Sequence, residues 1–186
     1  MLPPMVASGP AAGLSPDVAI ESERKFLVVD EAWRRGVEAS LSLCQFYVAA
    51  APDRSVRVRI RDCREAWLTL KFGSNGRHRH EYEYALPLEE AEEMRAFALG
   101  TVIDKVRHHV RHRGRLYEVD VFEGALAGLV VAELETPDEV ADAELPLWLG
   151  REITGESAYY NASLALGGRL PHAPGSPGDP SARDRP

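Results

Sequence analysis

A β-dominated α+β fold is what this sequence predicts: an eight-stranded antiparallel β-barrel, shaped as a tunnel or an open cup, with a few covering helices. Three observations carry that expectation. Eight segments have β-type composition or two-residue alternation, hairpin signals separate several of them, and helical patterns are a minority.

Residues 1–17 are rich in Pro, Ala, Gly and Ser with almost no charge, and 170–186 are rich in Pro, Gly, Asp and Arg. Neither stretch has the apolar surface to order itself, so both are expected to be disordered tails around one domain over 18–169. Strands are expected at Ile20–Val29, Leu41–Ala49, Ser55–Asp62, Glu65–Phe72 and His80–Leu86, then at Thr101–Arg111, Arg115–Phe122 and Gly128–Glu135. Turn chemistry falls between them at Ala51-Pro52-Asp53, Gly73-Ser74-Asn75-Gly76, Arg113-Gly114 and Glu123-Gly124. The clearest helix is Leu88–Leu99, which starts behind Pro87 and is rich in Glu and Ala. Shorter helices are expected at Glu31–Glu38 and at Ser157–Leu166, the latter amphipathic.

The strands carry rows of charge. Successive side chains point to opposite faces, so in Glu21-Ser22-Glu23-Arg24-Lys25 the residues Glu21, Glu23 and Lys25 share one side. Like charges on one face repel and call for a compensating partner, for which a divalent metal is the obvious candidate. The pattern recurs as Arg57 and Arg59, Lys71, Glu81 and Glu83, Lys105 and Arg107, Glu118 and Asp120, and Glu133 and Glu135. A sheet with one wet face also alternates polar and apolar residues. These positions, however, are almost purely charged, and their signs segregate by strand, which a charged lumen explains better. The apolar alternates then face outward, beneath the helices Leu88–Leu99 and Ser157–Leu166. Arginine forks suit phosphate oxygens and paired carboxylates suit hard cations, so the pattern reads as a site for a phosphate-rich anion carried with its metal.

The sequence resembles the CYTH superfamily, the triphosphate tunnel metalloenzymes, whose hallmark ExExK motif matches Glu21-Ser22-Glu23-Arg24-Lys25. The likeness extends in order through Gln45-Phe46-Tyr47, Val56 to Ile60, Leu68 to Lys71, Arg79 to Tyr84 and Asp104 to Arg107. It closes with Tyr117 to Phe122, Gly128 to Glu135, Trp148 to Gly150, Glu152 to Gly155 and Tyr159 to Asn161. This resemblance implies a divalent-metal-dependent phosphohydrolase that cleaves the terminal phosphate of a triphosphate, foremost inorganic tripolyphosphate. Class IV adenylate cyclase, thiamine triphosphatase and a non-catalytic polyphosphate- or nucleotide-binding module are the alternatives on the same scaffold. Two departures stand out. Ala158 to Ala162 lacks the lysines of the family's corresponding segment, and Phe46 replaces the glycine of its Q-G-Y.

Residue by residue, the resemblance implies Glu21, Glu23, Lys25 and Tyr47 as catalytic candidates. Lys25, Arg57, Arg59, Lys71, Lys105 and Arg107 would cradle phosphates. Glu21, Glu23 and Glu135 are the first metal ligands, with Glu133, Glu118 and Asp120 behind them, and the cofactor expected is Mg²⁺ or Mn²⁺. Glu81 and Glu83 would support a second metal or orient basic residues, and some of the crowded carboxylates are expected to have raised pKa values.

The net charge of −7 argues against nucleic acid or an anionic membrane as partner. A small-molecule triphosphate handled by a monomer or homodimer is expected instead. Cys44 and Cys63 have no zinc-ligand spacing and read as free thiols. With no membrane-length apolar run and no signal peptide, the expected location is the cytoplasm.

Overall fold

The computed structural model of the chain describes residues 22–73, 80–136 and 140–167. Both expected tails, Glu21 and most of the Gly73–Gly76 turn signal lie outside the described residues.

Nine strands form one sheet: β1 (Ser22–Val28), β2 (Val37–Ala51), β3 (Arg54–Arg61), β4 (Glu65–Phe72), β5 (His80–Leu86), β6 (Leu99–His112), β7 (Arg115–Phe122), β8 (Val130–Thr136) and β9 (Leu149–Glu152). Two α-helices accompany it, α1 (Leu88–Met94) and α2 (Asn161–Gly167). The spatial order is β5-β4-β3-β2-β6-β7-β8-β1-β9, every pairing is antiparallel, and β5 and β9 do not pair with each other. The barrel is therefore the open-cup form. Its curvature is plain from one fact: Lys71 of β4 and Glu23 of β1 line the same cavity although five strands lie between theirs. On a flat sheet with ~4.8 Å spacing those strands would stand about 29 Å apart.

Eight expected strands are present, and the ninth, β9, is only four residues long and docks on β1. The expected helices are shorter than their sequence patterns. Leu88–Leu99 stops as α-helix at Met94 and tightens into a 3-10 turn at Arg95–Phe97, because Leu99 is taken as a strand partner by Tyr47. Glu31–Glu38 is a single 3-10 turn, Ala32–Gly36, since Val37 pairs with Val110. Ser157–Leu166 begins as a 3-10 turn and becomes α2 only at Asn161.

Register assigns each side chain a face. Two apolar clusters lie on the outer face. One packs Phe46, Val58, Ile60 and Ala66 under Ala91 of α1. The other packs Val110, Tyr117, Val119, Ala132 and Leu134 under Trp33, Val140 and Trp148. The first explains Phe46: it points outward and is wholly buried, so its bulk fills core instead of crowding the lumen. The third cluster is on the inner face. Tyr47, Ile103, Phe122 and Val131 meet Leu164 and Ala165 of α2 there. Contrary to expectation, α2 does not cover the outside but plugs one end of the cup. Gly100 permits that approach: its φ is +66°, and a Cβ there would lie 2.3 Å from the Ala165 carbonyl oxygen. Trp67 lies inside as well. It shares the inner face with Thr69 and Lys71, and the Arg61 guanidinium sits 4.8 Å from its ring centroid.

The turn from β3 to β4 was not legible in composition. Arg64 N–H donates to the Arg61 carbonyl at 2.9 Å across Asp62 and Cys63, whose φ values are +50° and +51°. That is a type I′ turn without glycine. Asp62 stabilises it by accepting from the Ser42 backbone N–H at 2.8 Å.

The floor formed by α2 is a testable support. Leu164→Ala is expected to cost about 2–5 kcal/mol in urea unfolding, as for other buried leucines. Leu147→Ala, at a side chain 95% exposed, should stay within about 0.5 kcal/mol of the parent.

Candidate active site

Above that apolar floor the inner face turns charged, and its side chains enclose a cavity of about 1000 Å³. One wall is basic: Arg57 and Arg59 on β3 and Lys71 on β4, with Ser55 beside them. The opposite wall is mainly acidic: Glu118 on β7, Glu133 and Glu135 on β8, and Glu23 on β1. Two cations, Lys25 and Arg107, stand among those acids.

Strand register explains the acidic wall. Glu23 lies opposite Glu135, and Glu118 opposite Glu133, so like charges face each other across neighbouring strands. The two embedded cations offset this. Lys25 Nζ is 2.8 Å from Glu133 and 3.2 Å from Glu23. Arg107 pairs with Glu118, with Asp120 at 2.7 Å and with Glu133 at 2.9 Å. Burial opposes charge on both, yet the carboxylates outweigh it and hold both pKa values above their ordinary range.

Lys105 and Asp120 do not line the cavity. They form a buried ion pair beneath it, with Arg107 on the other side of Asp120. Burial pulls the Lys105 pKa down. Burial also pushes the Asp120 carboxyl up, but Lys105 and Arg107 overcome it and hold the pKa at about 2. Glu133 is likewise lowered: burial and Asp120 raise it, and Arg107, Lys25 and Lys105 prevail. The expectation of raised carboxylate pKa values is thus corrected at these two positions, because each acid is in direct contact with two cations that together outweigh burial and, at Glu133, the neighbouring Asp120.

The basic wall is differently built. The Arg57 side chain donates to Thr69 Oγ1 at 3.1 Å and stands 3.9 and 4.0 Å from Glu81 and Glu83. Lys71 pairs with Glu81 at 2.7 Å. Glu81 and Glu83, opposite Lys71 and Thr69 on the edge strand β5, therefore serve as ion-pair partners beside the wall rather than as cavity lining. Arg59 hydrogen-bonds the Gln45 amide oxygen, and its pKa is pushed down to about 10, first by burial and then by Arg57 and Arg107.

Of the residues singled out in the sequence, the cavity gathers Glu23, Lys25, Tyr47, Arg57, Arg59, Lys71, Arg107, Glu118, Glu133 and Glu135. Sequence reasoning missed Thr154, whose Oγ1 accepts the Lys25 backbone N–H at 2.9 Å and donates to Glu152 at 2.7 Å. Arg24, on the outer face of β1, grips Glu152 at 2.7 Å, the Val140 carbonyl at 2.8 Å and Asp142 at 3.1 Å. The segment around β9 thereby fixes the Lys25 backbone from outside. Tyr160, Asn161 and Ala162, where the family's lysines are missing, also border the cavity. Among the described residues no group of three or more His, Cys, Asp or Glu side chains is gathered so as to hold a metal ion, the acidic wall and the histidines included. His108 shares a 2.7 Å hydrogen bond with Ser40, and His109 is 3.6 Å from Glu118. No helix among the described residues is long and apolar enough to cross a membrane.

Comparisons with known proteins agree with this geometry. The family profile described as CYTH domain matches residues 19–166. The inorganic triphosphatase of Acetivibrio thermocellus is 41% identical over 145 residues, covering 77% of this chain and 92% of that protein. The inorganic triphosphatase of Nitrosomonas europaea is 34% identical over 150 residues, covering 78% and 97%. The crystal structure of the inorganic triphosphatase NE1496 superposes with a TM-score of 0.64 at 32% identity, covering 82% of this chain and 97% of that one.

The buried pair has a pH signature. The folded-state pKa of Asp120 lies below its unfolded value, so its contribution to stability is present above about pH 4 and is lost as pH falls towards 2. Asp120→Asn strands Lys105 without a counter-charge and should cost about 3–5 kcal/mol in urea unfolding at neutral pH. The same variant should flatten the acid limb of the stability profile between about pH 4 and pH 2.

Proposed function

The chain belongs to the CYTH domain family, and from that premise we propose that it is a metal-dependent triphosphatase acting on inorganic tripolyphosphate. The observation that carries this reading is the opposition of a basic and an acidic wall across one cavity. Nine of the seventeen residues lining that cavity are charged, so it is suited to recognise a ligand by ionic contacts. The names of the two curated relatives support tripolyphosphate over a nucleoside triphosphate.

In this reading Arg57, Arg59 and Lys71 bind the phosphate chain. Guanidinium groups hold phosphate oxygens in fixed directions, which places the terminal phosphorus against the acidic wall. Lys25 and Arg107 reach that end from the opposite side and offset the charge that spreads over the phosphoryl oxygens as the bond breaks. Both are already aligned by carboxylates, so little reorganisation is needed. Tyr47 borders the cavity from β2 and is placed to contact the chain.

The acidic wall offers the donor chemistry a hard divalent cation takes, carboxylate oxygens in two facing like-charged pairs, and Glu21 of the motif, outside the described residues, would complete the set. Glu23 and Glu135, with Glu21 before them in the motif and Glu133 and Glu118 beside them, are the residues that would hold it. Asp120 is left out of this set, since Lys105 and Arg107 engage it below the wall. Bound there, Mg²⁺ or Mn²⁺ would supply Lewis-acid polarisation of phosphate oxygens and a low-pKa water. A cytoplasmic setting is supported by the two free cysteines, Cys44 and Cys63.

Phosphate release from tripolyphosphate, ATP and thiamine triphosphate, with cyclic AMP formation from ATP measured alongside, tests the reading. Tripolyphosphate should be turned over fastest and only with a divalent metal, and Glu23→Gln should lower that rate about a hundredfold or more with the fold retained. Metal-independent hydrolysis, or cyclic AMP as the main product, would count against it. Mg²⁺ with a substrate that remains bound at a hundred times its Kd should stabilise the protein by about 2.7 kcal/mol in thermal unfolding.

A further inference from the structure

The cations around the cavity are held in chemically different ways, and Lys71 of the basic wall sits on a carboxylate, Glu81 at 2.7 Å. Lys25, Arg107 and Lys105 each sit on at least one carboxylate. The two β3 arginines that line the cavity, Arg57 and Arg59, do not follow suit. Arg57 donates to the hydroxyl of Thr69, and its glutamates are near the limit of an ion pair at 3.9 and 4.0 Å. Arg59 forms no ion pair among the described residues. Its Nε and one terminal nitrogen both donate to a single acceptor, the Gln45 side-chain oxygen, at 3.3 and 3.2 Å.

Gln45 is wholly buried, and its Nε2 has no hydrogen-bond partner among the described residues. An unpartnered buried donor costs free energy comparable to a lost hydrogen bond. A glutamate at this position would remove that N–H and give Arg59 a counter-charge of the kind the opposite wall uses throughout. For the stability of the free protein, the carboxylate is therefore the better residue. The amide has the same reach and the same acceptor oxygen but brings no charge.

We propose that Gln45 is a positioning residue for substrate: its amide oxygen fixes the Arg59 guanidinium in the lumen without neutralising it, leaving the phosphate chain to complete the charge pairing. The depressed Arg59 pKa fits such an arrangement, because burial beside Arg57 and Arg107 makes the cation costly until an anion arrives. This inference rests on the reading of Arg59 as a phosphate ligand.

Three variants separate the two ideas, assayed by KM for tripolyphosphate with Mg²⁺ and by thermal unfolding with and without those additions. Gln45→Glu is expected to raise the melting temperature of the free protein and yet raise KM about tenfold. Gln45→Met, which keeps the volume and the lumen charge but removes the tether, should raise KM several-fold with kcat less affected, and it keeps the test open should the glutamate variant fail to fold. Arg59→Ala should raise KM at least as much as Gln45→Glu. If Arg59→Ala weakens binding while Gln45→Glu, or Gln45→Met in its place, retains the parental KM, the positioning role is overturned and the phosphate reading stands. A parental KM in Arg59→Ala overturns both.

Discussion

A sheet that turns its charged face inward must balance that charge before it can fold. In this protein the balance is a chain of alternating charges running through the acidic wall: Lys105, Asp120, Arg107, Glu133 and Lys25, each in contact with the next. Taking ions from water is expensive, and close pairing repays the cost only when most of the oxygens and protons are used. Asp120 meets that condition, with Lys105 and Arg107 both on its carboxylate. The chain holds β6, β7, β8 and β1 in one electrostatic unit, and the cavity is the space above it.

The inversion also explains where the apolar surface went. The residues that would form the core of an ordinary sheet face outward and are capped by α1 on one side and by Trp33 with the Val140–Trp148 segment on the other. At one end the inner face turns apolar, where α2 docks against Tyr47, Ile103, Phe122 and Val131. The hydrophobic effect favours that plug, and the plug excludes water from the floor of the lumen. Ion pairs just above it accordingly lie in a poorly screened environment, which is why Asp120 and Lys105 interact so strongly.

Polarity across the cup is what makes it more than a charged hole. The acidic wall is internally compensated by its own lysine and arginine, whereas Arg57 and Arg59 lean on neutral acceptors. An incoming anion therefore meets positive charge already desolvated and oriented, and gives up little to reorganisation. The bulge in β2 between Tyr47 and Ala49 lies beside this wall, where local twist re-aims side chains into the lumen.

Much of this was legible in the chain itself. Two-residue periodicity fixes which side chains share a face, so Arg57 with Arg59, Glu118 with Asp120, and Glu133 with Glu135 could be grouped before any strand was placed. Sequence alone determined the strands, their faces and the charge rows, because those depend on local geometry and composition. It could not determine depth. Glu118 and Asp120 carry equal charge on one strand face, yet one borders the cavity and the other lies buried beneath it, since only the shear of neighbouring strands and the docking of α2 decide which residue meets water. Nor could it reveal β9 and Thr154, four residues and one hydroxyl whose role exists only because Arg24 draws a distant segment against β1. Contacts between segments more than a hundred residues apart leave no periodicity to read; tertiary packing alone creates them.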